Sequence, residues 1–590
     1  MCGLIGYSGP GKAAPFILDA LKRLEYRGYD SAGIATVSEG RLLYKKDSGK
    51  IEEVESKQHL SELPGHVGIG HVRWATHGEV NQVNAHPQLD NRSIIAVVHN
   101  GIVENAAELR QQLKSEHQFV STTDTEVIPF LLAKYLKRTG SMTGAMALAV
   151  KELRGPFAFL ALCQTEPQVL FACAREMPLL LGNGAGGSIA SSDIDSFPEG
   201  YREIYALENG EIAVVGADNF RFFDASGNPI HKKAGNVQRQ SGFAVDDSLK
   251  HHMMREIREE PWAIEQAVIQ DEAGMAQAAR AVKSAKNVIF TACGTSRHAA
   301  LMGRYLFSRV GGKLSEVIIG SEFKYFADSI NEGSVVIALS QSGETADVLE
   351  GVRTARARGA KVISLVNRPS SQLSRLSDLV FPLKCGQENA VAATKSYIAQ
   401  ITVLALLSHY LVGQQQMITE KLKNTVPLVE LAYETNLKKA ECVAAYIAKF
   451  NACYFIARGS NFHIAMEAAL KMKEVSYVHG EGMPAGELKH GTLALIEKGT
   501  PIVAICPDDY TFEDTIHNVE EAKTRGARIF GVSDRCHPAF NECFRIPKVE
   551  EILYPFVTIV PLQELAYFTA LARGVDPDRP RNLAKSVTVK

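Results

Sequence analysis

A chain of 590 residues is too long for one hydrophobic core and predicts three or four domains. Its 46% hydrophobic and 22% charged content is that of a globular protein, and a net charge of −2 leaves neither a basic face for nucleic acid nor an acidic tail. Ten cysteines with no CxxC pair argue against a disulfide framework or a zinc site, and for a reduced, cytoplasmic protein with no metal and no cofactor. No secretory signal precedes Cys2. The longest apolar stretch, 398–412, is broken by Gln400, Thr402, Ser408 and His409, so it predicts a buried helix and no membrane contact.

The first chemistry-bearing residue is Cys2, followed by an apolar run to Tyr7. Once Met1 is removed, Cys2 carries a thiol and an α-amine that titrates near ~7.7–8.0, a nucleophile with a general base on its own backbone. Helical spacing covers 16–24, and a strand follows at 34–37. A second strand, 67–72, runs into Arg73-Trp74-Ala75-Thr76-His77-Gly78, and a third, 93–99, ends at Asn100-Gly101. A helix over 105–114 comes next, then one opened by Thr123-Asp124-Thr125-Glu126 with Thr123 or Asp124 as the cap. Segments 157–163 and 168–173 read as paired strands, and Asn209-Gly210 as a hairpin turn between 204–207 and 212–215. An amide of the Asn100 type beside a glycine N–H suits an oxyanion, Arg73 suits a carboxylate and Asp124 an ammonium.

Six ordered blocks, Cys2-Gly3, 25–33, 71–78, 84–87, His99-Asn100-Gly101 and 123–126, resemble the class II glutamine amidotransferases. The resemblance implies an N-terminal-nucleophile hydrolase fold, an αββα sandwich, over residues 2–218. It implies that Cys2 attacks the side-chain amide of glutamine, that Asn100 and Gly101 form the oxyanion hole, and that Arg73, Trp74, Thr76, His77 and Asp124 form the glutamine site.

Weakened periodicity marks 219–262 as a linker, with a charged amphipathic helix at 251–261 ended by Pro261. His251 and His252 lack a third ligand at metal spacing. Beyond it the chain repeats. Strand 287–292 before Cys293-Gly294-Thr295-Ser296 is matched by 452–457 before Arg458-Gly459-Ser460, and 359–366 by 526–532. Apolar strands alternating with helices predict two α/β domains with parallel, flavodoxin-like sheets, 263–425 and 426–575, and a tail, 576–590. In the first copy, strand 334–339 runs through Ser340-Gln341-Ser342-Gly343-Glu344-Thr345 into a helix, a phosphate cradle. The second copy has Pro507-Asp508-Asp509 there, whose carboxylates repel phosphate.

The 292–296 and 340–345 segments resemble the sugar isomerase (SIS) domain of phosphosugar isomerases. With Glu474, 486–491 and 580–589, nearly the whole chain resembles the glutamine-dependent fructose-6-phosphate aminotransferases. That implies amination and isomerisation of fructose 6-phosphate to glucosamine 6-phosphate, with ammonia channelled from the glutaminase site past a Trp74 gate. Glu474 and His490 would be acid–base groups and Lys585 a Schiff-base amine. Cys293, Gly294, Thr295, Ser296, Ser340, Gln341, Ser342, Thr345, Val391 and Ala584 would hold the sugar phosphate. His490 would come from a neighbouring subunit, making a homodimer obligatory. Two departures from the family pattern stand out: Ala393 replaces a sugar-contacting serine, and Gly480, Gly482 and Pro484 enter what reads as a loop near His490. Two rivals remain: the same architecture acting on another ketose phosphate or as a deglycase or deaminase, and a glutaminase joined to a non-catalytic phosphosugar sensor.

Overall fold

The computed structural model describes residues 2–75, 78–201, 203–235 and 249–588, which fall into two compact units: an N-terminal one that also takes the chain from Ser586 on, and a second one spanning Gln240–Lys585. Thr76, His77 and the polar string 236–242 lie outside the described residues.

The N-terminal unit holds two seven-stranded antiparallel sheets. One runs, edge to edge, Glu203–Ala206, Leu180–Gly184, Gly187–Ser191, Gly3–Ser8, Val67–Arg73, Ser31–Ser38 and Arg41–Ser48. The other runs Pro229–Ile230, Phe220–Phe223, Ile212–Val215, Leu170–Arg175, Phe157–Cys163, Ile95–Gly101 and Gln88–Leu89. Leu4, Ile69 and Ala190 of the first sheet pack on Val98, Leu160 and Ala213 of the second. Helices Ala13–Leu24 and Ile51–Gln58 cover the outer face of the first sheet, and Ala106–Leu113, Val127–Thr139 and Met142–Glu152 that of the second. The layers are αββα. Strands buried on both faces explain the near-continuous apolar runs.

Three local expectations fail here. Asn209-Gly210 does form a tight turn, but Glu203–Ala206 and Ile212–Val215 belong to different sheets, so the turn carries the chain across the sandwich. An Asn-Gly pair fixes a turn and leaves the partner of each strand open. Thr123 makes no side-chain cap, and Asp124 Oδ2 instead accepts from the Val103 N–H at 2.7 Å. Residues 220–230 supply two strands of the second sheet, so the linker does not begin at 219.

The second unit repeats one design. Parallel sheets run Glu316–Ile319, Asn287–Ala292, Ser334–Ser340, Lys361–Val366, Leu379–Pro382 and, in the same order, His479–Pro484, Ala452–Ala457, Pro501–Ile505, Arg528–Ser533, Glu542–Arg545. A single core joins the copies, because helices Lys395–Tyr410, Ser460–Ser476 and Tyr554–Ala572 bury apolar side chains between them. The 33-residue helix Gln415–Ile447 runs unbroken through residues 425 and 426, the expected junction of the two copies. Pro427 is tolerated within it. The charged helix expected before Pro261 forms as His252–Arg258, and Pro261 itself sits in the first turn of the next helix, Glu260–Ala267, where its missing N–H costs nothing. Among the described residues one helix, Glu551–Ala572, is long and apolar enough to cross a membrane by length and composition, and 83% of its apolar window is buried within the fold.

Candidate active sites

In the N-terminal unit Cys2 precedes the central strand Gly3–Ser8 of the first sheet, whose neighbour Val67–Arg73 delivers Arg73 and Trp74 beside it. The thiol is gripped by one residue's main chain: Trp74 N–H donates to Sγ at 3.2 Å, and Sγ–H lies 3.4 Å from Trp74 O. Burial pushes the thiol up, and the Arg73 charge works against that. Arg73, 4% exposed, is itself drawn down by burial and steadied by Cys2, Asp30 and Asp124. Asp30 fixes the turn by accepting from the Ala75 N–H at 2.8 Å. Trp74 meets Tyr29 edge to face at 5.6 Å.

Strand Ile95–Gly101 brings the second sheet to the same place. Asn100 Nδ2 donates to the Cys2 carbonyl at 3.0 Å. Gly101, at φ +118, occupies a conformation that only glycine adopts at ease, and a Cβ there would lie 2.1 Å from Pro156 O. Cys2, Arg73, Trp74, Asn100, Gly101 and Asp124 thus converge within this unit.

In the second unit the turn after Ser334–Ser340 folds on itself. Ser340 Oγ lies 2.9 Å from Thr345 Oγ1 and accepts from the Gly343 N–H at 3.0 Å, while Ser342 Oγ accepts from the Glu344 N–H at 3.2 Å. Thr345 then opens helix Ala346–Ala357 without capping it by its side chain. Gln341 O is bound by the Asn367 N–H. The parallel turn after Asn287–Ala292 carries Cys293, Gly294, Thr295 and Ser296 into helix Gly294–Arg309, with Ser296 Oγ accepting from Gln400 at 2.9 Å. Burial raises the Cys293 thiol to about 11, so it is an uncharged lining group.

Lys585 is no free tail cation. Its ammonium sits 2.5 Å from Glu388 Oε2, with the lysine side chain 4% exposed and the glutamate fully buried. Burial alone would raise the Glu388 carboxyl, yet Lys585 and the N–H groups of Ser396 and Thr394 hold it down at about 2. The tail is tied down next door: Val391 N–H donates to Asp578 O, and Asp578 accepts from the N–H groups of His252 and Met253. Ala584 is half-buried beside Lys585, and Ala393 half-buried before helix Lys395–Tyr410.

Glu474 lies on helix Ser460–Ser476 and pairs with Lys471. Lys471 belongs to none of the motifs that carry the resemblance. Lys471 is fully buried, donates to Thr295 Oγ1 at 2.9 Å and lies 3.5 Å from the buried Glu467, which accepts from Thr295 at 3.0 Å and binds His298 at 2.7 Å. Glu474 and Glu467 hold Lys471 protonated against the pull of burial. The spacing Glu467, Lys471, Glu474 on one face of an otherwise apolar helix was the available signal. His490 stands apart: it ends the 3₁₀ turn Ala485–His490, is exposed, and among the described residues makes no hydrogen bond to Glu474 or Lys585. The segment before it is no loop. His479–Pro484 is an edge strand whose Gly480 and Gly482 lie against helix Ser460–Ser476, where a Cβ would meet Ala469 O at 2.4 Å and Ala465 O at 2.6 Å.

Residues 71–199 match the glutamine amidotransferase domain family, and 282–410 and 446–573 each match the SIS domain family. Over its whole length the chain is 43% identical to the glutamine–fructose-6-phosphate aminotransferase (isomerizing) of Pyrococcus horikoshii and 42% identical to that of Thermococcus kodakarensis, with 100% of each chain covered. The solved C-terminal domain of glucosamine-fructose-6-phosphate aminotransferase from Francisella tularensis aligns at a TM-score of 0.53 and 32% identity, covering 57% of this chain and 100% of that one. Full-length kinship at this level, with both domain types in the same order, makes the chain a member of the isomerizing glutamine–fructose-6-phosphate aminotransferase family.

Proposed function

We propose that this chain transfers the amide nitrogen of glutamine to fructose 6-phosphate, giving glucosamine 6-phosphate and glutamate. The carrying observation is the Cys2 thiol held between the main-chain groups of Trp74, beside the Asn100 amide. Cys2 attacks the glutamine side-chain carbonyl, its proton passing by way of the α-amine freed by removal of Met1 to the leaving ammonia, and water cleaves the thioester. Asn100 Nδ2 and the Gly101 N–H take the oxyanion, Arg73 the α-carboxylate and Asp124 the α-ammonium, with Trp74, Thr76 and His77 completing the pocket and Trp74 gating ammonia.

In the SIS pair, the cradle of Ser340, Gln341, Ser342 and Thr345 receives the phosphate at the start of a helix, with Cys293, Gly294, Thr295, Ser296, Val391 and Ala584 around the sugar. Lys585 forms a Schiff base at C2 after giving up a proton, and ammonia then displaces it. Glu474, kept in register by Lys471, carries the proton from C1 to C2. His490 opens the sugar ring. Its exposure, and the lack of a hydrogen bond from it to Glu474 or Lys585 among the described residues, support a homodimer in which it completes the partner's site. The boundaries that fit best are an amidotransferase domain to about residue 235 and two SIS domains that share the Gln415–Ile447 helix.

The deciding experiment combines intact-mass analysis with turnover. A glutamine-analogue electrophile adds one equivalent to Cys2 of a chain lacking Met1, and purified protein forms glucosamine 6-phosphate from glutamine and fructose 6-phosphate. Full turnover with Met1 retained sinks the glutaminase half. A different preferred ketose phosphate, or none aminated, turns the reading toward the rivals named above.

A further inference from the structure

Asn100 can serve as an oxyanion donor only if its amide faces the right way, and nothing in an isolated asparagine decides between its two ends. Flipped by half a turn, the side chain would present a carbonyl oxygen to the developing negative charge and repel it.

The neighbouring strand supplies the decision. His71, on Val67–Arg73 and fully buried, reaches from the first sheet to Ile95–Gly101 of the second. Its Nε2 lies 3.0 Å from the His99 carbonyl and 3.0 Å from Asn100 Oδ1. A main-chain carbonyl only accepts, so Nε2 must carry the proton. The same N–H then faces the Asn100 side chain, where an NH2 group would oppose it donor to donor. Only Oδ1 fits, and Nδ2 is thereby turned to the Cys2 side, where it donates to the Cys2 carbonyl at 3.0 Å.

Two further features keep the ring in this state. Burial drives the His71 imidazole down to about 3, with Asn100 opposing and the neighbouring His99 and Arg73 assisting, so the ring is neutral and Nδ1 bears no proton. The His86 ring lies 4.2 Å from it, and the Thr125 hydroxyl engages His99 Nδ1 at 2.8 Å, holding the residue whose carbonyl sets the tautomer. We infer that His71 is a positioning residue for amide hydrolysis: held by the His99 carbonyl as the Nε2–H tautomer, it fixes the Asn100 side-chain amide with Nδ2 toward the oxyanion. This rests on the reading of Asn100 as an oxyanion donor.

The test uses the full chain and measures glutaminase turnover. His71→Leu removes the donor and is expected to lower kcat about 10²-fold, the cost of one oxyanion donor, with KM changed by less than about threefold. His71→Gln, which places an amide N–H near the lost Nε2, is expected to recover at least about a tenth of wild-type kcat. Alkylation of Cys2 by iodoacetamide needs no oxyanion donor and is expected to stay within about twofold in every variant. Asn100→Ala falls by about 10²–10³-fold, and adding His71→Leu to it lowers kcat no further, because the two act as one unit. Losses that multiply in the double variant, or His71→Leu at full kcat, overturn the inference. Asn100→Ala at full kcat instead overturns the reading beneath it. Should His71→Leu fail to fold, histidine-labelled wild-type protein decides by NMR: His71 must remain a neutral Nε2–H tautomer between about pH 5 and 9, and an Nδ1–H tautomer or a titration there overturns the inference.

Discussion

At the scale of single residues, the most consequential pair is Lys585 with Glu388. Two buried charges are tolerated because each answers the other and Glu388 accepts three further donors from Thr394 and Ser396. Its carboxyl moves from an ordinary 4.5 down to about 2, so the folded state gives up this proton more readily than the unfolded chain. The stabilisation is therefore complete above about pH 4.5 and is lost as pH falls toward 2, amounting to about 3 kcal/mol. Glu388→Gln is expected to lower the melting temperature at pH 7, with the gap to wild type closing as pH drops from 4.5 toward 2. A gap independent of pH would refute the assignment. The chemistry of Cys2 and Asn100 is legible in residue type and position and sharpened by motif resemblance, the role of Lys585 rests on resemblance alone, and Lys471 is marked only by the charged spacing on its apolar helix. His71 carries no such mark as a positioning group, because its partners His99 and Asn100 are brought in by a distant strand.

Among elements, the His479–Pro484 strand shows where composition misleads. Two glycines and a proline in six residues read as a loop, since all three weaken strands. The structure needs the two glycines for a different reason: the helix backbone passes so close to Gly480 and Gly482 that no side chain fits. Gly482→Ala is expected to cost about 1–3 kcal/mol, read as a lowered denaturation midpoint, with a smaller effect on glutaminase turnover than on amination. The Asn209-Gly210 turn taught the complementary lesson. Local chemistry specified the bend, but which sheet received each strand was settled by long-range packing. The repeat was legible because matched strand edges recur in order, while the shared Gln415–Ile447 helix was not, for helical periodicity does not announce where one domain's core hands over to another's.

For the whole molecule, two predictions follow from burial and assembly. Glu260 and Glu564 lie inside the second unit, where burial, with the charges of Glu388 and Glu467, raises the first to about 8, and burial, with the charge of Glu260, raises the second to about 9. Both are neutral acids at pH 7. The folded state keeps protons that the unfolded chain releases above about 4.5, so stability falls as pH rises toward 8–9. Glu564→Gln is expected to melt higher than wild type, by a margin that widens from pH 5 to about 9; a constant margin would contradict it. The second concerns the proposed dimer. His490→Ala and Lys585→Ala chains, each inactive in amination, are expected to regain activity when unfolded and refolded together, since one of the two sites in a mixed dimer is then intact. No recovery, with mixed dimers demonstrated by mass, would place His490 in its own chain's site.

The link from Thr295 to Glu467 and Lys471 joins one SIS copy to the other. The cradle proposed for the phosphate belongs to the first copy, and the ladder that carries Glu474 belongs to the second. A gene shortened to either half would encode at most a receptor without a reaction or a reactive helix without a substrate. On the proposed roles, neither copy holds the whole chemistry, and deleting either removes a partner of the Thr295–Glu467–Lys471 link.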